Sequence, residues 1–181
     1  MLKTYRYRLF ANASQVRELS RTLETHRRLY NAVLSGKQLC WDTAGIDWNF
    51  YEQCRWLTIQ RRTNYHFANL NAHSAEQTLK RLARAYKTFF TGGGFPRFRS
   101  VDRFDSFAYA MTGHGGGCKI VAGKLRLQNI GTIRVRWHRA IPEGAVIKQA
   151  IIKRKAGKWY VSFALEMPGT INCNVPTGAV G

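Results

Sequence analysis

An isolated strand near the N-terminus constrains the fold of this chain more than any other feature of its sequence. Apolar and cationic side chains alternate there with the period of two that predicts a β-strand: Tyr5, Arg6, Tyr7, Arg8 and Leu9. No comparable pattern follows until after residue 95. Because even an isolated two-stranded hairpin is marginal in water, the first strand is expected to pair with strands from the second half of the chain.

The segment between that strand and residue 95 has the period of helices. Asn12, followed three residues later by Gln15, forms a helix-start signature. The first helix is predicted from Ser14 to Ser35, and a loop containing Gly36 and Gly45 follows it. Apolar side chains recur along this helix at spacings of three and four: Val16, Leu19, Leu23, His26, Tyr30 and Val33.

Two further helices are predicted before residue 95. One runs from about Asp47 to Arg62 and is rich in aromatic residues. The other begins at a Ser-x-x-Gln signature formed by Ser74 and Gln77 and ends before Gly92. Its buried stripe is formed by Leu79, Leu82, Tyr86 and Phe89. Its other face carries Lys80, Arg84 and Lys87, with Arg81 beside them.

Short strands dominate the chain after residue 95. They are predicted at Phe104–Ala110, Lys119–Val121, Lys124–Leu127, Thr132–Trp137, Val146–Arg154 and Lys158–Glu166. Ala122-Gly123 and Ala156-Gly157 stand where hairpin turns should be. Strands at this spacing suggest a small barrel, so the expected class is α+β, with a barrel interrupted by a helical insertion.

The charge of the chain points to a polyanionic partner. It has 29 Lys and Arg against 10 Asp and Glu, a net charge of +19, and 13% of its residues are aromatic. No stretch of about 18 apolar residues is present, and the first residues lack the apolar region of a secretory signal, so no membrane partner is expected. The four cysteines, Cys40, Cys54, Cys118 and Cys173, form no C-x-x-C pair and predict reduced thiols in a cytoplasmic, nucleoid-associated protein.

The sequence offers no catalytic or metal-binding cluster. The ten acidic residues are spread so thinly that no two form a metal-binding pair at helix or strand spacing, and surface solvation explains those in the loops. Neither a phosphate-binding Gly-Lys-Ser loop nor a Gly-x-Ser-x-Gly nucleophile motif is present. We therefore predict no catalytic residue, no metal ligand and no cofactor in this chain.

The block from Phe95 to Ser100, Phe-Pro-Arg-Phe-Arg-Ser, resembles the F-P-R-F-K-S block of the TnpB (OrfB) proteins of bacterial insertion sequences. These are RNA-guided DNA nucleases related to type V CRISPR effectors. Further blocks agree in the same order, at residues 3–9, 30–31, 79–90, 131–135, 138–139, 141–144 and 157–163. The resemblance covers about residues 2–167.

The resemblance implies a fold, partners and missing parts. The fold is an oligonucleotide-binding-like wedge barrel formed by residues 1–10 and 95–167, with a helical recognition domain inserted at 11–94. The partners are a guide RNA and target DNA, recognised through an RNA–DNA heteroduplex and a short adjacent DNA motif. In the family, a RuvC nuclease fold with three metal-binding acids and a zinc ribbon follow. Residues 168–181 read as a linker toward that nuclease, so Mg²⁺ and Zn²⁺ are expected only for domains beyond this chain.

Fifteen side chains are candidates for RNA or DNA contacts, because guanidinium and ammonium groups bind phosphates while neighbouring rings can stack on bases. They are Lys3, Arg6, Arg8, Gln77, Lys80, Arg81, Arg84, Lys87, Arg97, Arg99, Arg134, Arg136, Arg139, Lys153 and Arg154. By resemblance, the barrel cations are expected to favour the guide scaffold. The cations of the third helix are expected to favour the heteroduplex or target DNA.

Three functions remain open on the sequence. The first is the nucleic-acid-binding half of a TnpB-like transposon protein, which is not catalytic alone. The second is an enzyme completed by a RuvC nuclease on a separate chain. The third is a nuclease-dead, guide-directed repressor of its DNA target.

Overall fold

The computed structural model describes residues 1–111 and 116–168, which form four helices and seven strands. The helices are α1 (Ala13–Ala44), α2 (Phe50–Thr63), α3 (Tyr65–Ala68) and α4 (Ala72–Phe90). The strands are β1 (Leu2–Phe10), β2 (Ser106–Ala110), β3 (Cys118–Val121), β4 (Lys124–Leu127), β5 (Gly131–Arg136), β6 (Val146–Lys155) and β7 (Lys158–Glu166). The predicted linker lies outside the described residues except for Pro168.

One antiparallel sheet contains all seven strands in the order β2-β6-β7-β1-β5-β4-β3. Strand β1 lies inside this sheet, with Leu9 opposite both Trp159 of β7 and Val135 of β5. The expected pairing of the first strand with distant strands is therefore confirmed. The sheet curls into a nearly closed barrel that the helical segment interrupts in sequence, which confirms the α+β class.

The two predicted hairpin turns are present. Ala122 and Gly123 have φ values of 47° and 70°, and Ala156 and Gly157 have the same pair of values. Positive φ at both central residues defines the turn that matches the right-handed twist of the flanking strands. These turns fix the registers of the β3–β4 and β6–β7 hairpins, in which Val121 faces Lys124 and Lys155 faces Lys158.

Alternation along the strands builds the barrel core. Side chains buried on the inner face include Tyr7, Leu9, Leu125, Ile133, Ile152, Val161 and Phe163. The Trp137 ring stacks on Phe163 at 6.1 Å between centroids and 4° between planes. The same hydrophobic cluster continues into α1 and α4 through residues such as Leu23 and Leu82, so barrel and helices share one core.

Helix α1 begins as predicted but is longer. Asn12 and Gln15 form a reciprocal capping box, in which each side chain accepts a hydrogen bond from the backbone N–H of the other. The predicted end at Ser35 and loop at Gly36 are wrong, because the helix continues to Ala44. A Cβ at Gly36 would lie 2.7 Å from the Trp48 ring, so this glycine admits a close packing contact within the helix.

The predicted start of α4 is also wrong. Asn71, three residues before Ser74, is the N-cap, and its side-chain oxygen accepts from the Ser74 backbone N–H at 3.0 Å. The Ser74 hydroxyl instead donates to the carbonyl of Ala108 in β2 at 2.7 Å. Arg81 donates to a second β2 carbonyl, that of Ser106, at 2.9 Å. Helix α4 thus covers the end strand β2, whose unpaired edge would otherwise be open to association.

His26 joins α1, α4 and β2. Its Nδ1 is 2.8 Å from the Thr78 hydroxyl, its Nε2 is 3.1 Å from the Ser74 hydroxyl, and its ring stacks on Phe107 at 5.1 Å. Because the Ser74 hydrogen is donated to Ala108, the Ser74 oxygen accepts from Nε2–H, and the Thr78 hydroxyl donates to Nδ1. Burial, assisted by the nearby charge of Arg81, lowers the His26 pKa from 6.5 to about 3.

None of the helices in residues 1–111 and 116–168 combines the length and apolar character that crossing a membrane requires.

The buried neutral His26 predicts a loss of stability in mild acid. The unfolded chain takes up a proton at His26 below pH 6.5, whereas the folded chain stays neutral there to about pH 3. The unfolding free energy should therefore fall by about 2 kcal/mol from this group between pH 7 and pH 5. Urea titrations at both values measure it, and His26→Gln should remove this part of the pH dependence. An equal pH dependence in the variant would contradict the assignment.

Candidate nucleic-acid interface

Four adjacent strands form a strongly cationic sheet surface. Strands β1, β3, β4 and β5 carry eight Lys and Arg residues and no Asp or Glu. Successive side chains of a strand point to opposite faces of the sheet. Leu9, Leu125 and Val135 lie in the core, so the cations at the neighbouring positions point outward. We call the outward cations of these strands the barrel face: Arg6, Arg8, Lys119, Lys124, Arg126, Arg134 and Arg136.

Strand register places cations of the barrel face directly opposite one another. Arg8 faces Arg136, Lys124 faces Arg134, and Lys119 faces Arg126. Like charges directly across a sheet destabilise it, and within the described residues no carboxylate lies within ion-pair distance of any of these six side chains. A bound anion would relieve the repulsion within these three pairs.

The same face extends across β7 to β6. Arg8 also lies opposite Tyr160 of β7, and Tyr160 lies opposite Lys153 of β6. The half-buried Tyr160 ring therefore separates two predicted phosphate-binding cations. Lys153 is already engaged, because its ammonium lies 2.9 Å from the Asp105 carboxylate. The uncompensated part of the surface is thus centred on β1, β4 and β5.

Helix α4 carries a second cationic surface, as predicted. Lys80, Arg84 and Lys87 line one shallow groove together with Phe50 of α2. Lys80 pairs with Glu76 at 2.7 Å, while Arg84 and Lys87 are exposed and have no ion pair among the described residues. Two of the three cations are therefore available to a ligand without breaking an ion pair.

Arg81 and Arg99 differ from their neighbours because they serve the fold. The Arg81 guanidinium donates to Ser106 and lies 4.7 Å from the centroid of the Phe104 ring, and burial lowers its pKa. Arg99 lies 6.0 Å from the Tyr30 ring centroid, and its backbone N–H and carbonyl are bonded by the Asn31 side chain. These contacts hold α1, α4 and the segment between α4 and β2 together.

The remaining candidates do not join either surface. The Arg139 guanidinium lies 4.2 Å from the Tyr5 ring centroid, beyond the end of β5. Gln77 accepts a hydrogen bond from Gln149. Lys3 is exposed near the start of β1, on the opposite side of the strand from Arg6 and Arg8, Arg97 is exposed after α4, and Arg154 is half-buried near the end of β6.

Sequence reasoning missed three cations of the barrel face: Lys119, Lys124 and Arg126. The signal was present, because a two-residue turn at Ala122-Gly123 places residue 121 opposite 124 and hence 119 opposite 126.

The two roles of arginine on α4 predict different effects on stability. Arg81→Gln removes a charge-assisted hydrogen bond and a contact with an aromatic ring, so it should lower the unfolding free energy by about 1–3 kcal/mol. Arg84→Gln, three residues further along the same helix, should change it by less than about 0.5 kcal/mol. Urea or thermal denaturation of both variants measures the difference. Equal stabilities would mean that the Arg81 contacts contribute nothing.

The N-terminal part of the chain matches a known domain family. Residues 1–45 match a helix-turn-helix domain family of the OrfB/IS605 type. In the structure these residues form β1 and the single continuous helix α1, so the matched range does not itself contain two helices.

Two relatives match along most of the chain. A "Putative RNA-guided DNA endonuclease" of Streptomyces pristinaespiralis is 26% identical over 172 residues, which cover 91% of this chain and 41% of the relative. The "Putative RNA-guided DNA endonuclease InsQ" of Escherichia coli (strain K12) is 29% identical over 165 residues, which cover 88% of this chain and 36% of the relative. The chain spans less than half the length of either. The predicted resemblance to the TnpB (OrfB) family of bacterial insertion sequences is thus confirmed over most of the chain.

Proposed function

We propose that this chain is the nucleic-acid-binding part of a TnpB-like, RNA-guided DNA endonuclease and is not catalytic alone. The barrel face binds the phosphate backbone of a guide RNA, and the cationic surface of α4 binds target DNA or its heteroduplex with the guide. The observation that carries the proposal is the set of three like-charged pairs on the barrel face, which no carboxylate of the described residues compensates. Both relatives are named as putative RNA-guided DNA endonucleases, which supports the RNA-guided part of the proposal.

The proposed domain organisation follows the course of the chain. Residues 1–10 and 95–167 form the wedge barrel, and residues 11–94 form the helical recognition domain. The pairing of β1 with β5 and β7 supports this division, since all four helices lie between β1 and β2 along the chain. The cations of the two proposed domains would then contact different parts of one long ligand.

The described residues do not fit the metals that the family uses. Residues 1–111 and 116–168 bring together no group of three His, Cys, Asp or Glu side chains that could hold a metal ion. A RuvC-type site needs clustered carboxylates, and a structural zinc site needs four ligands. We therefore assign Mg²⁺ and Zn²⁺ to parts of a complete nuclease other than these residues.

This assignment predicts that the purified chain does not cut DNA. With a guide RNA, its matching DNA and Mg²⁺ or Mn²⁺, the DNA should remain intact, because no ligands organise metal-assisted displacement. Gel analysis of end-labelled DNA measures cleavage, and retained RNA binding by the same preparation serves as the control for folding. Guide-dependent cutting that a chelator abolishes would contradict the proposal.

The two cationic surfaces predict separable effects on binding. Neutralising Arg126, Arg134 and Arg136 to Gln should weaken binding of a structured guide RNA in the absence of DNA. Neutralising Lys80, Arg84 and Lys87 to Gln should spare most RNA binding and impair capture of the target. Each lost phosphate contact should reduce the slope of log affinity against log salt by about one unit.

Filter-binding or fluorescence titrations at several salt concentrations measure both variants, with circular dichroism as the folding control. Equal loss of RNA affinity in the two triple variants would leave only a diffuse basic surface. A wild-type salt slope shallower than about −3 would mean that few phosphates are contacted at all.

A further inference from the structure

The last residue of β1 places an exposed aromatic ring in the middle of the barrel face. Phe10 is 37% exposed, points outward beside Arg8 and lies opposite Arg134 of β5. The guanidinium carbons of Arg8 and Arg134 are each 5.1 Å from the centroid of the Phe10 ring. Both distances are within the range of cation–π contacts, so one ring holds two arginines.

The positions of Arg8 and Arg134 beside one ring oppose the charge repulsion on the barrel face. Arg8 lies across from Arg136, and Arg134 lies across from Lys124, so repulsion favours spreading these long side chains into solvent. The Nε of Arg8 is also shielded from solvent and makes no hydrogen bond in the described structure. The two contacts with Phe10 favour positions of the guanidinium groups near the sheet and so oppose this repulsion.

Stacking on a ring leaves a guanidinium group able to bind an anion. When a guanidinium group stacks on a ring, the ring contacts one face of its plane, whereas the N–H donors lie within that plane and remain open to other partners. Those donors match two oxygens of a phosphate in a bidentate geometry. A guanidinium that is already oriented loses less conformational freedom when the phosphate binds.

We propose that Arg8 and Arg134 form a phosphate clamp for a nucleic-acid backbone, with Phe10 as its positioning residue. Arg136 lies opposite Arg8 and Lys124 lies opposite Arg134, so both add positive charge beside the clamp. The proposal rests on the proposed function, since it names which atoms of the barrel face bind the guide backbone. It goes further by assigning part of the affinity to a residue that carries no charge.

Substitutions that keep the net charge test the clamp. Phe10→Leu should weaken binding of a structured RNA about tenfold, because two arginines lose their orientation while the charge remains +19. Phe10→Tyr keeps the ring and should bind as the wild type does. Phe90→Leu is the matched control: Phe90 is 77% exposed and has no guanidinium over its ring within the described structure.

A double-mutant cycle separates positioning from direct contact. In an Arg8→Gln/Arg134→Gln background, Phe10→Leu should have no further effect on RNA affinity. A second charge-conserving variant, Arg8→Lys/Arg134→Lys, should lose affinity to a similar extent, because an ammonium has no planar fork. This variant keeps the proposal testable if Phe10→Leu unfolds, which thermal denaturation monitors.

The outcomes distinguish the clamp from the function on which it rests. If the wild type binds no structured RNA, the proposed function fails. If the wild type binds RNA and both charge-conserving variants bind equally well, the clamp is wrong and the function stands. A tenfold loss from Phe10→Leu that persists in the Gln background would show that the ring contacts the nucleic acid itself and would overturn the positioning role. Titrations with single-stranded and duplex DNA show which backbone the clamp prefers.

Discussion

The pairing of β1 between β7 and β5 is the constraint on which the other features of this structure depend. Four helices separate β1 from its partner strands along the chain, so β1 joins the barrel only through contacts that are distant in sequence. Helix α1 starts directly after β1, and one side chain sets its direction. Gln15 accepts from the Asn12 backbone at 3.1 Å and donates from Nε2 to the Thr132 carbonyl of β5 at 2.9 Å. The helix cap is therefore also a sheet contact, and the helices leave the barrel at a fixed place.

The polar groups around His26 are paired on one side of the sheet, whereas the cations on the other side are left uncompensated. Where α1 and α4 meet β2, His26 is neutral, Ser74 and Thr78 bond it, and each hydrogen has an assigned acceptor. On the barrel face, cations lie opposite cations without compensation. The first arrangement stabilises the fold, and the repulsion in the second lowers its stability. Because the shared core joins both regions, the helical side can supply the stability that the cationic side gives up.

Much of the fold could be predicted because its signals are local. The capping box of Asn12, the alternation in β1 and the two Ala-Gly turns all act through neighbours in sequence. The roles of Gly36 and Ser74 do not follow from the sequence, because distant groups decide them: the Trp48 ring packs close to the glycine, and the Ala108 carbonyl accepts from the serine hydroxyl. The candidate site shows the same limit. Arg81 and Arg84 are indistinguishable by spacing, and only packing against β2 makes one structural and leaves the other exposed. The opposition of Lys124 and Arg134 depends in turn on the register that the loop between β4 and β5 sets.

The barrel face and the core both result from the alternation of side chains along the strands. In β1, Tyr7 and Leu9 fill the barrel while Arg8 and Phe10 lie outside, so a slip of one residue would bury a cation and expose the core. The positions of the cations are therefore set by paired strands, and strands hold side chains more rigidly than loops do. Phe10 ends β1 two residues before the cap of α1, at the point where the barrel gives way to the helices. A change in register there would disturb the core, the helix start and the oriented arginines together. The proposed binding surface thus depends on the same packing that stabilises the barrel.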